Sequence, residues 1–484
     1  MANYLDGILG HAIRRPDAPA LSLPDRTLTF GELGARLAGI AAGLTLQAVP
    51  AGAIVAVAGR RQDTTLLTTL GIMLGGRIAL ALDPQALPSD RRALIRRSGA
   101  VAVLDDDARP DTYACPVFRP EDLPSVGDVA HARHPGGGHP AQILVSSGTT
   151  GPAKLAAVSH CDLIERSRVI GLVVGAVPSD RHLPVMNLAY ALARLSAIRT
   201  LEAGGVVLLR PLPSGVPALL DLLRAERVTG LTMTPSHLRA ILDDLGDQPA
   251  PALPDVRWLS VSGALLPLAD RIAVRRRLTP ALHVVYGTNE AGLVAHAGPR
   301  ELDLAPEGVG RPLPGVRVEI LDDAGRPAPP GSVGEIRVAS AQMSARYVGA
   351  DPFAGHRDGW FHPGDTGWLD RHGLLHLAGR TDDRINHGGL KVYPFEVEAV
   401  LRTHPAVADC AVFGVPSRER QEEVAAAVVL SGDATPAVLR AHCRTMLPPH
   451  KVPQRMLKLD RLPRNETGKV LVRRLREQLF RPAG

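Results

Sequence analysis

The sequence predicts an α/β protein with a large multi-layer N-terminal core and a small, mobile α+β lid at the C-terminus. Three observations support this prediction. Short β-branched runs alternate with longer amphipathic stretches up to about residue 310. Strands joined by Gly/Pro turns follow, and a charged, glycine-bearing segment near residue 380 precedes the last hundred residues. Alternating strands and helices are typical of layers built on largely parallel sheets.

The N-terminal part consists of predicted strands and helices in alternation. Short apolar runs predict strands at AIVAVAG, RIALALDP, VAVLDDD, QILVSS, GVVLLRP and LTMTPS. Apolar residues at 3.6-residue spacing predict helices at FGELGARLAGIAAGL, QDTTLLTTLGIML, VPALLDLLRAERV and PSHLRAILDDL. Together they predict the α/β sheets of the core.

The C-terminal part is predicted to be a β-rich segment, a hinge and a lid. GVRVEILDDAGRPAPPGSVGEIRVAS is typical of strands joined by turns, so we predict a core domain over 1–379 with a β-rich subdomain at about 310–379. The segment GRTDDRINHGG predicts a hinge at 380–383, and the renewed alternation predicts a lid over 384–484. This plan suits an enzyme that closes over its ligand.

The composition disfavours several classes of protein. The 484 residues carry a net charge of +6, mostly as scattered arginine, which indicates solvated helix faces and a field that favours anionic ligands such as nucleotides. Aromatic residues make up 3%, too few to stack nucleic-acid bases. The four cysteines show no metal-ligand spacing, so we expect a cytoplasmic protein with reduced thiols. We expect no signal peptide, and no run approaches the ~20 apolar residues of a membrane helix.

The stretch SSGTTGPAKLAAVSH predicts a phosphate-binding loop. Gly148 and Gly151 allow backbone N–H groups to converge, neighbouring hydroxyls add donors, and Lys154 adds a point charge. A polar surface turn is the alternative interpretation. Only five of the 55 basic residues are lysines, and two of them, Lys154 and Lys469, stand beside glycine and threonine. This favours a site for a compact ammonium group.

Five motifs in order resemble those of the adenylate-forming superfamily, which comprises acyl- and aryl-CoA synthetases, adenylation domains of peptide synthetases, and luciferases. The resemblance runs from near residue 25 to near residue 475. The motifs are SSGTTGPAK, YGTNEAG, GWFHPGDTGWLDRHGLLHLAGRTDDRI, HGGLKVYPFEVEAVL and LPRNETGKVLVRRL. They are similar to the family's phosphate loop, Tyr-Gly-x-Thr-Glu segment, Gly-Asp and Gly-Arg-x-Asp motifs, lid start, and terminal Gly-Lys segment.

The resemblance implies a two-step reaction that uses ATP, Mg²⁺ and CoA. A carboxylate attacks the α-phosphate of ATP to give an acyl-adenylate and pyrophosphate, and a thiol, usually of CoA, then displaces AMP. Charge at the phosphates requires preorganised donors and a cation. The nucleotide site implied by the resemblance consists of Ser147, Thr149, Thr150, Lys154, Gly263, Ala264, Tyr286, Gly287, Thr288, Asn289, Asp365 and Arg380.

Within that site the resemblance implies individual roles. The phosphate loop holds the β and γ phosphates, Tyr286 lies against adenine beside Gly263 and Ala264, and Asp365 accepts the ribose hydroxyls. Arg380 holds ribose or phosphate near the hinge.

Other implied roles concern catalysis and movement of the lid. Glu290 binds Mg²⁺, Asn289 faces the α-phosphate, and Lys469 bridges the carboxylate and the α-phosphate in the first step. The lid then turns about Asp382 and presents a channel for the thiol, formed by Gly388, Gly389 and Lys391. An apolar acyl pocket is expected to include Asn187, Tyr190 and Ser262.

The sequence departs from the family pattern in four places. In the phosphate loop the proline is shifted by one position and Leu155 replaces a glycine. Asn289 stands where the motif has threonine, and an amide NH₂ has a different geometry from a hydroxyl. Asn386 stands where many members of the family have lysine. Asn187 lies near the position at which many acyl-CoA synthetases have a histidine beside the acyl pocket.

The leading hypothesis is an AMP-forming acyl-CoA ligase. One alternative is a ligase that mainly performs the thioester step on a supplied acyl-adenylate, and another is an enzyme that loads a carrier protein in trans. A nucleotide-binding protein without ligase turnover is disfavoured by Lys154, Glu290, Asp365 and Lys469. We expect no nucleic-acid or membrane partner, and the Arg- and Ala-rich composition suggests secondary metabolism. The identity of the acid and the oligomeric state stay open.

Overall fold

The computed structural model describes residues 3–107, 113–124, 136–145, 153–246, 250–344, 346–348, 355–417, 419–464 and 470–479. Contacts divide the chain into two compact units. The first unit consists of Met1–Pro306, Pro312–Arg317 and Ala339–Phe361, and the second of Glu307–Arg311, Val318–Val338 and His362–Gly484. The second unit thus contains much of the predicted β-rich segment together with the lid. The boundaries at 379 and 384 and the hinge between them stay predictions.

The helices of the described residues lie mostly in the first unit. In chain order they are α1 (Asp6–Arg14), α2 (Phe30–Leu46), α3 (Gln62–Leu74), α4 (Pro88–Ser98), α5 (His160–Gly171), α6 (Ala191–Glu202), α7 (Val216–Ala225), α8 (Pro235–Leu245), α9 (Leu268–Ala273), α10 (Pro299–Leu304), α11 (Pro394–Arg402), α12 (Pro436–Met446) and α13 (Val472–Leu479). Among the described residues, none of these helices is both long and apolar enough to cross a membrane.

Most strands are short, and the longest described strands, β25 and β26, belong to the second unit. The first fourteen are β1 (Pro19–Ser22), β2 (Thr27–Thr29), β3 (Ile54–Val57), β4 (Ile78–Ala81), β5 (Ala102–Leu104), β6 (Val117–Phe118), β7 (Pro140–Val145), β8 (Leu155–Ser159), β9 (Arg181–Pro184), β10 (Val206–Leu208), β11 (Gly230–Met233), β12 (Trp258–Val261), β13 (Leu282–Thr288) and β14 (Gly292–Ala297). They are followed by β15 (Arg311–Pro312), β16 (Arg317–Leu321), β17 (Gly334–Ala339), β18 (Arg346–Tyr347), β19 (His356–Arg357), β20 (Trp360–Phe361), β21 (Asp365–Leu369), β22 (Leu375–Arg380), β23 (Ile385–His387), β24 (Leu390–Val392), β25 (Val407–Ser417), β26 (Gln421–Leu430) and β27 (Arg455–Lys458).

Two large sheets form the first unit. One runs in the order β14-β13-β12-β11-β9-β10-β1-β2, and the other in the order β18-β8-β7-β4-β3-β5-β6. Neighbours are parallel in the middle of both sheets. The first sheet is antiparallel at both ends, as for β13 with β14, and the second is antiparallel at its β18-β8-β7 end and parallel at its β5-β6 end. The predicted α/β class with largely parallel strands is therefore confirmed.

The pair α2 and α3 shows how the sequence builds this core. A capping box starts α2, because the Thr29 hydroxyl accepts from the Glu32 N–H (3.3 Å) and the Glu32 carboxylate accepts from the Thr29 N–H (2.8 Å). Phe30 and the three leucines Leu33, Leu37 and Leu44 of α2 are fully buried. At Gly71 in α3 a Cβ would lie 2.6 Å from the Ile40 Cβ, so this glycine permits close packing of the two helices.

The second unit contains two sheets with mostly antiparallel strands, and only β27 pairs parallel, with β26, among the described pairs. Strands β16, β17, β21 and β22 lie side by side, and β23 to β27 form a five-stranded sheet in the order β24-β23-β26-β25 with β27 on β26. Helices α11 and α12 pack against the latter sheet over a core that includes Val397, Leu401, Leu439 and Cys443. This is the α+β unit that the sequence predicts.

Candidate active site

Four loops of the first unit lie along one edge of its first sheet. Strands β9, β11, β12 and β13 are adjacent and parallel, with Pro184 opposite Thr232, Met233 opposite Val261, and Val261 opposite Val284. Their carboxyl ends therefore face the same edge, which is where open α/β sheets bind ligands. The predicted site residues at the ends of these strands or in the loops after them are Asn187, Tyr190, Ser262, Gly263, Ala264, Thr288, Asn289 and Glu290.

The end of β13 forms a tight turn into β14. At Gly287 a Cβ would lie 2.5 Å from the Gly292 carbonyl oxygen, so this position requires glycine. The Thr288 hydroxyl accepts from the Ala291 N–H (2.9 Å), and the Asn289 carbonyl accepts from the Arg166 guanidinium (2.9 Å). Tyr286 precedes this turn and is buried. The backbone that carries Asn289 is therefore fixed from both sides.

Glu290 is held in place by Tyr347. The Glu290 side chain is 8% exposed, and its Oε1 accepts from the Tyr347 hydroxyl at 2.7 Å. The Glu290 carbonyl accepts from the Ser344 N–H at 2.8 Å. Burial and then the Glu290 charge raise the pKa of Tyr347 well above its ordinary value, so the phenol stays protonated and donates.

Lys154 lies on the other side of the same tyrosine. Strands β7 and β8 pair antiparallel with Val145 opposite Leu155, so the predicted phosphate loop connects two paired strands. The exposed Lys154 places its Nζ 5.5 Å from the centroid of the Tyr347 ring. Lys154, Tyr347 and Glu290 thus form one connected group, whereas the predicted loop residues Ser147, Thr149 and Thr150 lie outside the described residues.

The loop after β12 exposes its backbone. Gly263 has a φ of 95° and is exposed, while Ser262 and Ala264 are half-buried. A side chain at Gly263 would be strained at this φ. The register of β12 with β13 brings this loop next to the segment that carries Tyr286.

The loop after β9 is held by hydrogen bonds within the loop and to neighbouring segments. Asn187 Oδ1 accepts from the Ala189 N–H (2.8 Å), and the Tyr190 hydroxyl donates to Asp83 Oδ2 (2.8 Å). The Leu188 N–H donates to Gln62 Oε1 at 2.8 Å. These hydrogen bonds hold the loop in place, and the roles of Asn187 and Tyr190 in an acyl pocket stay predictions.

In the second unit Asp365 and Arg380 form an ion pair. They are opposite one another in the antiparallel pair β21–β22, and Arg380 Nη1 donates to Asp365 Oδ1 at 3.1 Å. Gly364, directly before Asp365, has a φ of 72°. The carboxylate and the guanidinium predicted to hold the ribose therefore lie side by side, and their roles stay predictions.

Lys391 belongs to a hairpin of the second unit. Gly388 and Gly389 connect β23 and β24 with φ of 62° and 86°, and Asn386 Oδ1 accepts from the Gly389 N–H at 3.0 Å. Two positive φ values in a two-residue loop are typical of tight hairpin turns. Lys391 forms an ion pair with Asp323. The predicted pivot Asp382 is exposed in the short helical turn Thr381–Asp383, and the predicted catalytic Lys469 lies outside the described residues.

The sequence does not single out three residues that the structure places around this site. Tyr347 links Lys154 to Glu290, and Arg166 and Arg199 are buried on α5 and α6. Arginine is scattered along the whole chain, so neither arginine could be distinguished by pattern. Tyr347 follows the predicted β-rich run and carries no motif signal of its own.

The residues present fit a nucleotide and a magnesium ion. Within the described ranges, no group of three or more His, Cys, Asp or Glu side chains is arranged to hold a metal. Mg²⁺ at nucleotide sites usually takes one or two carboxylates together with phosphates and water. Glu290 offers one buried carboxylate, and Gly263 offers open backbone beside Tyr286.

Comparison with known families identifies the chain. Residues 10–348 match the family model described as AMP-binding enzyme, and residues 396–469 match the AMP-binding enzyme C-terminal domain. The first match covers more than half of the chain. The protein therefore belongs to the AMP-binding enzymes, the adenylate-forming superfamily, on its acyl-CoA synthetase branch. Its class is that of AMP-forming acid–thiol ligases, which use ATP, Mg²⁺ and CoA.

Similar proteins span nearly the whole chain. A fatty acid–[acyl-carrier-protein] ligase, ScoC of Streptomyces coeruleorubidus, is 28% identical over 97% of this chain and 95% of its own length. A sulfoacetate–CoA ligase of Cupriavidus necator is 28% identical over 95% of this chain and 94% of its own. The crystal structure of ATP-bound MatB from Rhodopseudomonas palustris is 25% identical and covers 99% of both chains with a TM-score of 0.89.

Proposed function

We propose that this protein is an acyl-CoA ligase that activates a carboxylic acid as acyl-AMP and transfers the acyl group to CoA. The observation that carries the proposal is the group Lys154–Tyr347–Glu290, which joins the end of the phosphate loop to the carboxylate of the YGTNEAG segment. A cation and a buried carboxylate joined through one phenol suit a site for phosphates and their metal ion.

The chain's own residues divide the binding of the nucleotide. Lys154 and the loop before it hold the β and γ phosphates, while Tyr286 and the open backbone at Gly263 and Ala264 receive the adenine. Asp365 accepts the ribose hydroxyls, and Arg380 orients the Asp365 carboxylate by a hydrogen bond of 3.1 Å. Glu290 binds Mg²⁺, which neutralises phosphate charge when bound; the Tyr347 hydrogen bond orients Oε1.

The two steps use different lysines. Lys469 stabilises the negative charge that develops as the carboxylate attacks the α-phosphate, and Asn289 donates to the α-phosphate from the fixed turn after β13. The hairpin of Gly388, Gly389 and Lys391 then receives CoA. Lys391 exchanges its exposed ion pair with Asp323 for the thiol substrate at little cost, because such pairs contribute about 0–1 kcal/mol.

Two narrower alternatives rest on specific observations. Asn289 and the altered phosphate loop favour a ligase that mainly performs the thioester step on a supplied acyl-adenylate. The similarity to ScoC, named as a fatty acid–[acyl-carrier-protein] ligase, favours loading of a carrier protein in trans. A role in secondary metabolism agrees with either alternative.

The test is a pyrophosphate-exchange panel over carboxylic acids, run beside thioester detection by mass spectrometry with CoA and with a carrier protein. We expect exchange with at least one acid and its CoA thioester as product. Glu290→Gln serves as the inactive reference, and Glu165→Gln, on the exposed face of α5, as the matched control. Thioester formation only from synthetic acyl-AMP, or only on the carrier protein, would support the corresponding alternative and contradict the proposal.

A further inference from the structure

A small, partly open cavity lies beside β13, the strand that carries Tyr286. It has a volume of about 30 Å³ and is lined in part by Leu192, Val285 and Leu293. Val285 precedes Tyr286 in β13, and Leu192 follows the Asn187–Tyr190 loop, so the cavity adjoins two of the segments predicted to form the acyl pocket. One water needs about 10–15 Å³, so this space suits about two waters or one compact terminal group.

The cavity is positively charged. Arg166 and Arg199 both line it, and no carboxylate is among the lining residues that the structure describes. Burial lowers the pKa of both arginines to about 10, which leaves them charged at neutral pH. Ser196 and Ser260 add hydroxyl groups to the lining. The lining is therefore apolar in part but offers hydrogen-bond donors at its polar side.

Arg199 has donor capacity that its neighbours leave unused. It donates to the Val174 carbonyl and lies 5.2 Å from the Trp258 ring centroid, but its buried Nε has no hydrogen-bond partner among the described residues. Leaving a buried donor without a hydrogen bond costs free energy, especially when the donor belongs to a charged group. Arg166, in contrast, donates to the backbone carbonyls of Gln342, Asn289 and Glu290.

The carboxylates that act on Arg199 are engaged elsewhere. Asp180 accepts from Thr229 and Arg257, and Glu202 accepts from the Ser167 hydroxyl. Tyr4, which also lines the cavity, faces Arg199 too, and burial raises its pKa well above the ordinary value, so its phenol stays neutral. The histidines around Arg199 are buried, and burial lowers their pKa and keeps them neutral. Arg199 is thus a buried cation that lacks a bonded anion.

We propose that this cavity binds the far end of the acid substrate and that this end carries a second anionic group, a carboxylate or another compact oxyanion, held by Arg199. The inference rests on the proposed ligase function, and it changes the expected pocket from a purely apolar one to one with a cationic end. An acid with two anionic ends leaves one carboxylate to react and neutralises Arg199 with the other.

The test measures the dissociation constants of two stable sulfamoyl analogues of the acyl-adenylate, by calorimetry. One analogue carries a straight-chain diacid through one end, and the other carries the monoacid of equal length. Pyrophosphate exchange with the free acids is run in parallel. We expect the best diacid analogue to bind the wild-type protein at least ~30-fold more tightly, which corresponds to one charge-assisted hydrogen bond or more.

Variants separate charge from shape. Arg199→Met should remove the preference for the diacid and leave the monoacid analogue unchanged or improved, and Arg199→Lys should retain part of the preference. Arg168→Met removes an exposed arginine of α5 and should change neither analogue. Equal binding of both analogues to the wild-type protein would overturn the inference without any variant, and would leave the ligase proposal standing. Failure of both analogues to bind would count against both proposals.

Discussion

The predicted site residues of the first unit and those of the second are held in different ways. In the first unit Glu290 is buried, and its contacts come from Tyr347 on β18, Ser344 shortly before β18, and Arg166 on α5. In the second unit Asp365 and Lys391 lie on strands next to turns and form ion pairs with Arg380 and Asp323, which are partly exposed. The first arrangement is fixed by packing, whereas the second can exchange its partners for a ligand.

This difference indicates how the two units share the work. A packed network preorganises charge at low cost during the reaction. A more exposed ion pair such as Lys391–Asp323 contributes little and can be replaced. The predictions below test this division, beginning with the largest effect.

Lys469 and Lys391 should affect opposite half-reactions. We expect Lys469→Ala to lower pyrophosphate exchange by about 10²–10³-fold, because a charge facing the developing transition state is lost. It should spare thioester formation from synthetic acyl-AMP, and Lys391→Ala should do the reverse. Lys458→Ala, on the exposed β27, is the control. Loss of both steps in both variants would disprove the division of labour between the lysines.

Tyr347 should act through Glu290 and its metal ion. Glu290→Gln should lower adenylation about 10²-fold, and Tyr347→Phe about 10-fold with a raised Mg²⁺ requirement, because one hydrogen bond to a charged group is lost. The matched control is Tyr113→Phe, since the Tyr113 hydroxyl donates to Asp105 Oδ2 at 3.1 Å away from the predicted site residues. Adenylation rates measured over a Mg²⁺ titration decide: an unchanged Mg²⁺ dependence in Tyr347→Phe refutes the positioning role.

Asp365→Ala should raise the KM for ATP about 10- to 100-fold. The ribose hydroxyls lose a charged acceptor, and each such hydrogen bond contributes about 1.5–3 kcal/mol. Glu319→Ala removes another ion pair of the same unit, with Arg337, and should leave the KM unchanged. ATP titrations of the exchange reaction provide the measurement, and an unaltered KM in Asp365→Ala would remove this residue from the site.

Asn289→Thr should accelerate adenylation. The amide places its NH₂ farther out than a hydroxyl, and a misplacement of about 1 Å can cost ~10²-fold in rate. We therefore expect adenylation to be slower than the thioester step in the wild-type protein, and pyrophosphate release to rise several-fold in the variant. Rapid-quench measurement of both half-reactions tests this; equal rates in the wild-type protein would contradict it.

The smallest expected effect concerns stability and not activity. Burial and then the charge of Arg199 lower the pKa of His182 to about 3 and that of His296 to about 4, so the unfolded chain binds more protons below pH ~6.5. These groups make the protein less stable as the pH falls from ~6.5 to ~4. Burial raises the pKa of Glu202 to about 7, which acts oppositely: its contribution is lost as the pH rises from ~4.5 to 7.

Urea unfolding between pH 4.5 and 8 separates these contributions. Glu202→Gln should gain stability relative to the wild-type protein as the pH rises, by at most ~3 kcal/mol. Glu165→Gln is the control, since its partner Arg168 is exposed. A difference that does not vary with pH would show that Glu202 ionises normally.

The sequence predicted the class of fold and the segments of the site because both depend on local patterns. The run QDTTLLTTLGIML forms α3, and the first three residues of the run LTMTPS form the end of β11. The loops after β9, β12 and β13 contain residues that the sequence analysis assigned to the site. Gly263 and Gly389, which the resemblance assigns to the nucleotide site and the thiol channel, have the positive φ that other residues avoid.

The sequence by itself determined which residue types stand at the ends of which strands, because periodicity and turn chemistry act over a few neighbouring residues. Only the tertiary structure decided that Tyr347 reaches Glu290 from 57 positions away, that Lys391 pairs with Asp323, and that Arg166 and Arg199 border a cavity. These contacts join segments that are distant along the chain. Burial and the absence of a bonded counter-charge among the described residues are properties of packing, and no pattern of neighbouring residues encodes them.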